Sequence, residues 1–271
     1  MKIIISHDVD HVYSTDHIFR DLIYPKLWVR SAIQFLQRKI KFRTFIYRVL
    51  SIFEKRLNRI DEVMKMDILY GVNSVFFFGM SNGLGMSYRI KEAIPMIQKV
   101  NLHKFDVGVH GIEFDEFDGI VKEKHLFENV IGYKDFGIRT HYVRFNNSTF
   151  RKFSNAGYIF DTSQFNKKEL DLAAPYKVGG MWEFPLHIMD GYIIPAGNLR
   201  KGIDNTIKAV KEAEEKGLPY LTILYHDYQY NEKTYPVEKA WYDWLLEYLS
   251  QNNYEFISYR EAIAELEEKD A

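Results

Sequence analysis

The chain has 271 residues, 46% of them hydrophobic, with 20 Phe, 19 Tyr and a formal charge of -1. That is enough apolar material for one sizeable core, and the near-neutral charge excludes a global affinity for nucleic acid or other polyanions. Cysteine is absent, which excludes disulfides and thiolate metal sites and fits a reducing compartment.

Residues 2–6 predict a buried strand, and it runs into His7, Asp8, Asp10 and His11. Met1 and Lys2 lead straight into that strand with no secretory leader, and no apolar run approaches the ~20 residues of a membrane span. The expectation is a cytoplasmic protein. From Lys26 to Arg59 there are ten Lys or Arg and one acid, Glu54, with apolar residues such as Leu27, Ile33, Leu36 and Ile40 at helical spacing. Such an inserted basic helical segment, about 18–60, fits peripheral contact with an anionic membrane through 26–59. It equally fits a helical pair packed on its own domain, or a dimer contact.

The helical region ends at Gly71. Residues 73–79 predict a second buried strand and 88–100 a helix. Residues 104–111 read as a third strand, ending at His110. Residues 137–145 read as a fourth, carrying Arg139, His141 and Arg144. A short helix and the stretch 157–163, with Asp161, come next. Residues 181–195 suggest two short strands around Asp190 and Gly191. A solvated helix over 202–217 ends at Gly217. Residues 219–227 form a late strand reaching His226. Helix 237–253, strand 254–258 and helix 259–269 close the chain. Strand and helix thus alternate six or seven times, the pattern of a parallel α/β fold, barrel or open sheet, in one domain over 1–271. The glycines of 79–87 lack the spacing of a dinucleotide or phosphate loop.

Asp8, Asp10, His110, His141, Arg144 and His226 all fall at strand ends, where β/α barrels carry their chemistry. Asp8 and Asp10 are two apart, which puts both on one side of a straight strand. Paired carboxylates without a lysine partner suit a cation, or a carboxylate base beside a metal. His110 adds an imidazole, and Glu113 and Asp115 follow within five residues. Oxygen and imidazole donors suit Zn2+, and equally Fe2+, Co2+ or Ni2+. A single aspartate there would read as a helix cap; several on different strands argue for a site. His7, His11, His17, His103, His125 and His187 read mainly as packing or solvated residues, and Tyr142 and Trp182 as sugar-pocket or core aromatics.

The motifs in order resemble the polysaccharide deacetylase family, the NodB-like carbohydrate esterases, and within it the WbmS-type members of lipopolysaccharide biosynthesis. The stretches are SHDVD at 6–10, NSVFFFG at 73–79, FDVGVHG at 105–111, GIRTHYVRF at 137–145, GYIFDTS at 157–163, WEFPLHIMD at 182–190 and LTILYHD at 221–227. The resemblance implies a distorted (β/α)7-type barrel and hydrolysis of an N-acetyl group from an amino sugar, nucleotide-linked or lipid-linked. It implies Asp8 as general base, Asp10 and His110 as metal ligands and His226 as general acid. Arg144 or Arg139 would orient Asp8, and Asp161 would hold His226 or an arginine. The bound ion would be a divalent transition metal such as Zn2+. One departure stands out. The family's second ligand histidine, four residues after the first, is here Phe114. Glu113 is the favoured replacement, with Asp115 close behind and His141 a distant candidate. Without any of them, the chain would be a sugar-binding or scaffold protein of the same fold. A hydrolase acting on a non-sugar amide is the remaining alternative.

Overall fold

The computed structural model describes residues 1–18 and 20–270. Strand β1 (Lys2–Val9) is followed by four helices, α1 (Thr15–Ile18), α2 (Ile23–Leu36), α3 (Phe42–Leu50) and α4 (Ile60–Tyr70). The alternation continues through β2 (Val75–Phe78), α5 (Ile90–Leu102), β3 (Asp106–Gly111), α6 (Phe117–Ile131), β4 (Ile138–Thr140), α7 (Thr149–Ala156) and β5 (Phe160–Asp161). Then come β6 (Tyr176–Val178), β7 (Met181–Glu183), β8 (Ile188–Met189), α8 (Asp190–Ile193), α9 (Leu199–Glu215), β9 (Tyr220–Leu224), α10 (Pro236–Gln251), β10 (Glu255–Phe256) and α11 (Tyr259–Asp270).

The strands lie in the order β6-β7-β5-β4-β3-β2-β1-β9-β8, with β10 beside the start of β1. All pairs are parallel except the β6–β7 hairpin. β7 and β8 are the two ends of one stretch, 181–189. Its first end pairs with β5 and its last with β9. Leu186 N–H donates to Gln164 O (2.8 Å) and His187 N–H to Thr222 O (3.3 Å) across the gap. Pro185, with no N–H to give, sits in the break. The sheet therefore curls round on itself as the distorted barrel of seven parallel staves expected from the sequence, the broken one joining its two edges.

Period-two alternation decides what β1 presents to each side. Ile4 packs with Val75, Phe77, Phe160, Phe184 and Tyr259 inside the curl. Ile3, Ile5 and Val9 pack outward against the helix layer. Ser6 and Asp8 share the parity of Ile4, so they face inward. His7 faces outward, into a buried polar cluster: its Nε2 lies 3.0 Å from Asp67 Oδ2 on α4 and its Nδ1 3.0 Å from Tyr225 O. Tyr242 OH and Ser74 Oγ complete the cluster by donating to Asp67.

Some expectations were too simple. Helix α6 and the β6 edge strand had no counterpart in the sequence reading. Asp190 does not sit in a turn between two strands; it is the first residue of α8, after β8 has ended. Helix α4 does stop at Gly71, whose φ of 70° is a left-handed cap that glycine adopts without strain. No helix of the described residues is long and apolar enough to cross a membrane.

Candidate metal centre and active site

Three Lewis-base atoms meet at the mouth of the curl. Asp10 Oδ1 lies 3.3 Å from His110 Nε2 and 3.3 Å from His141 Nδ1, and the two imidazole nitrogens are 3.1 Å apart. The other nitrogen of each ring is committed. His110 Nδ1 faces Arg139 O at 3.0 Å, and His141 Nε2 faces Leu84 O at 3.3 Å. A carbonyl only accepts, so those nitrogens carry the protons and the converging ones are bare in the neutral rings. Asp10 Oδ1 is buried with no hydrogen-bond donor. Burial would raise the Asp10 carboxyl, but hydrogen bonds from His110 and His141 and the charges of His141 and His226, when those rings are protonated, hold it well below the usual range.

The set fits a transition metal. Bonds of about 2.05 Å to a tetrahedral Zn2+ put neighbouring ligand atoms about 3.3 Å apart, close to the separations seen. Three protein donors with one position to spare is the pattern of a catalytic site. Among the described residues this is the one group of three metal-binding side chains so arranged. His141 is presented on a strained turn: Tyr142 (φ 61°) and Val143 (φ 47°) both sit in left-handed backbone, as does Leu84 (φ 53°) at its anchor.

Two polar pairs flank the trio. Arg139, fully buried on β4, donates from Nη1 to Asp8 Oδ1 at 2.8 Å and from Nη2 to Ser6 Oγ at 2.7 Å. This leaves Asp8 Oδ2 free, 3.6 Å from His110 Nε2. Burial pushes the Asp8 carboxyl up, and the charge of His110 when that ring is protonated, together with that of Arg139, outweighs it and holds it below the ordinary value. On the other side Asp190 grips His226: Oδ2 accepts the backbone N–H at 2.7 Å and Oδ1 faces Nδ1 at 2.8 Å. His226 Nε2 then points inward, 3.8 Å from Asp10 Oδ2. Burial disfavours the imidazolium, yet the charge and hydrogen bond of Asp190 push His226 up to about 10.

Four sequence-derived candidates lie elsewhere. Glu113, the favoured third ligand, follows the end of β3 and packs over Gly119 at the start of α6. Asp115 is on the surface, paired with Lys152 at 2.6 Å. His141, not Glu113 or Asp115, is the residue that lies beside Asp10 and His110. Arg144 does not reach Asp8; it donates to His141 O (3.0 Å) and Ile112 O (2.6 Å), bracing the turn that carries His141. Asp161 holds neither His226 nor an arginine. It lies opposite Glu183 in the β5–β7 register and accepts from Ser163 Oγ at 2.6 Å. Burial and the apposed acid raise the Glu183 carboxyl well above its ordinary range. Asp190 was the missed residue. An Asp-Gly pair reads as a turn, and only its position one residue past a strand hinted otherwise.

Asp8, Asp10, His110, His141 and His226 line one cavity of about 80 Å3, walled on its apolar side by Val143, Met189 and Leu224. A wider cleft of about 330 Å3 adjoins it and shares Asp10, His141 and His226; Tyr142, Tyr228 and Tyr235 line it, with Lys26 and Arg30 at its helical edge.

No family model and no curated protein matches the sequence. Solved structures do share the fold. A candidate polysaccharide deacetylase from Mycobacterium smegmatis is 13% identical, with a TM-score of 0.63 over 97% of this chain and 88% of that one. PuuE allantoinase is 10% identical, with a TM-score of 0.61 and the same coverage of 97% and 88%. The Bc1960 peptidoglycan N-acetylglucosamine deacetylase is 8% identical, with a TM-score of 0.50 over 96% and 86%. The curled barrel is thus the fold of the polysaccharide deacetylases, at identities where the likeness is one of architecture.

Proposed function

We propose that the chain is a metal-dependent hydrolase that removes the acetyl group from an N-acetylated amino sugar, on a nucleotide-linked or lipid-linked precursor of envelope polysaccharide or lipopolysaccharide. One observation carries the reading. A bare carboxylate oxygen, an imidazole held by a buried acid, and a three-donor metal set open on the same small cavity.

Asp10, His110 and His141 would hold the ion, Zn2+ or another divalent transition metal. Such an ion supplies Lewis acidity to a carbonyl oxygen and acidifies water. The chain's own groups do the rest. The acetyl methyl fits against Val143, Met189 and Leu224. Asp8 Oδ2 takes a proton as water oxygen bonds to the carbonyl carbon, and Arg139 keeps the other oxygen occupied so that one atom acts as base. His226 Nε2 gives its proton to the nitrogen as the carbon–nitrogen bond breaks, leaving acetate and the free amine. Asp190 fixes the tautomer and direction of that imidazole, acting on the reaction only through it.

A second reading has an observation behind it. The shared fold with an allantoinase favours an amide that is not on a sugar. The two are separated by amine release from N-acetylhexosamines, nucleotide-linked and lipid-linked, against release of product from cyclic and linear ureides. Metal-loaded protein should act on the first group, and Asp8→Asn should abolish that action with its metal content unchanged. Turnover confined to ureides would overturn the sugar assignment.

A further inference from the structure

The outer face of α2 is built unlike the rest of the surface. Leu22 at the start of α2, and Val29, Ile33 and Leu36 within it, are spaced by seven, four and three residues, which aligns them along one stripe of the helix. They are 64%, 61%, 49% and 78% exposed. Elsewhere on the same helical segment Phe42 and Phe53 are also exposed, at 61% and 83%. The stripe borders a shallow groove of about 570 Å3 rimmed by Lys26, Arg30 and Lys39. Surfaces usually scatter such side chains singly; a contiguous band marks a contact.

The charges around it are as unusual. Among the described residues, ion pairs between Lys26 and Arg59 are made only by Arg56 and Arg59. Among the described residues Lys26, Arg30, Arg38, Lys39, Lys41 and Arg43 make no ion pair, and the first turn of α2 has no acid. The hairpin is firmly seated on its other side. Tyr24 and Ser31 are buried, and Arg48 donates to Thr234 O at 2.7 Å and stacks over Tyr235. The stripe is therefore not a face waiting to close on its own chain. A second copy docked there would bring two cationic rims together. An anionic surface with an apolar interior matches both features at once.

We propose that the outer face of α2 lies in the interface of an anionic bilayer, its apolar stripe among the acyl chains and its lysines and arginines at the headgroups. Lys26 and Arg30 border both this groove and the cleft that leads to Asp10 and His226. Docking would thus set the cleft against the membrane and, resting on the function proposed above, select a lipid-linked amino sugar over a soluble one.

Vesicle flotation tests the docking without any turnover. The native chain should float with vesicles of phosphatidylcholine containing about 30% phosphatidylglycerol, stay behind with phosphatidylcholine alone, and be released when salt shortens the Debye length to a few ångströms. The Ile33→Asp/Leu36→Asp variant changes two exposed positions, so its melting temperature should match the native one while bound protein falls tenfold or more. Arg38→Glu/Lys39→Glu, away from the cleft, should weaken binding by about fivefold or more per charge. Equal flotation of native and both variants would overturn the proposal, as would equal binding to neutral vesicles. A native dimer in sedimentation, dissolved by Ile33→Asp/Leu36→Asp and indifferent to vesicles, would assign the face to a second copy and overturn it too. Flotation with no activity on any amino sugar would leave docking standing and refute the catalytic reading instead.

Discussion

Asp190→Asn probes the part of the site that composition and spacing hid. The carboxylate is fully buried and meets both the backbone N–H and Nδ1 of His226. Asparagine keeps the shape and one acceptor oxygen, but no charge. Burial works against a protonated His226, and Asp190 is the main reason the ring is nevertheless pushed up from 6.5 to about 10. Asp10 and Asp8 add to the push, but a cation beside Asp10 would cancel much of their share. The variant imidazole should therefore return to about 6.5 or below, an alkaline limb displaced by roughly three pH units. At pH 8 about one molecule in thirty would then carry the acid proton, against nearly all of the native chain. Turnover at pH 8 should fall about 30-fold or more, and only a few-fold at pH 6, if proton donation limits the rate. Amine release from pH 5 to 10 measures this on an active substrate, and the His226 ring resonance measures it without one. An identical titration midpoint and alkaline limb in native and variant proteins would refute the role given to Asp190.

Two further outcomes follow from the geometry. His141→Gln should weaken Zn2+ binding by about tenfold or more in calorimetric titration, while Glu113→Gln and Asp115→Asn leave it unchanged; loss of affinity in Glu113→Gln would restore the ligand favoured by sequence. Glu123 is buried on α6, where it accepts the N–H groups of Ile112 and Glu113, and burial pushes its carboxyl up to about 7. The folded chain then holds a proton that the unfolded chain gives up near 4.5. The stability from this proton is complete below that value and is lost as pH rises through 7, a fall of about 3 kcal/mol. Urea midpoints at pH 5 and pH 8 should differ less in Glu123→Gln than in the native protein, and equal differences would remove the assignment.

The parts of the molecule that were legible are those in which a local pattern carries the information. A run of isoleucines ending in spaced acids marks β1 and the inward face of Asp8, because side-chain parity is fixed by the pleat. His110 and His226 are legible for the same reason. Arg139 and Arg144 could not be ranked, because β4 has only three residues and the sequence does not say where it ends. The pairing of Arg139 with His110 in the β3–β4 register is a tertiary fact. So is the meeting of His141 with Asp10 and His110. His141 follows β4 on a turn whose left-handed residues, Tyr142 and Val143, are not the glycines that would announce it. Helix α6 begins Phe-Asp-Gly, which looks like a break. The resemblance implies a partner for Asp161 in His226 or an arginine, and the β5–β7 register sets it against another acid, Glu183.

The cluster of His7, Asp67, Ser74 and Tyr242 has a meaning for how the chain finds its native alignment. Apolar side chains on both faces of a central strand leave it free to slide, since one isoleucine substitutes for another. β1 escapes this through polar groups of opposite destination on adjacent residues. A slip by one position would thrust Asp8 into the helix layer against Asp67 and turn His7 toward Arg139. Two carboxylates would then face each other and an arginine would lose its anion. The pair of neighbours acts as a key cut on both edges, admitting a single threading of the strand that the rest of the barrel is laid against.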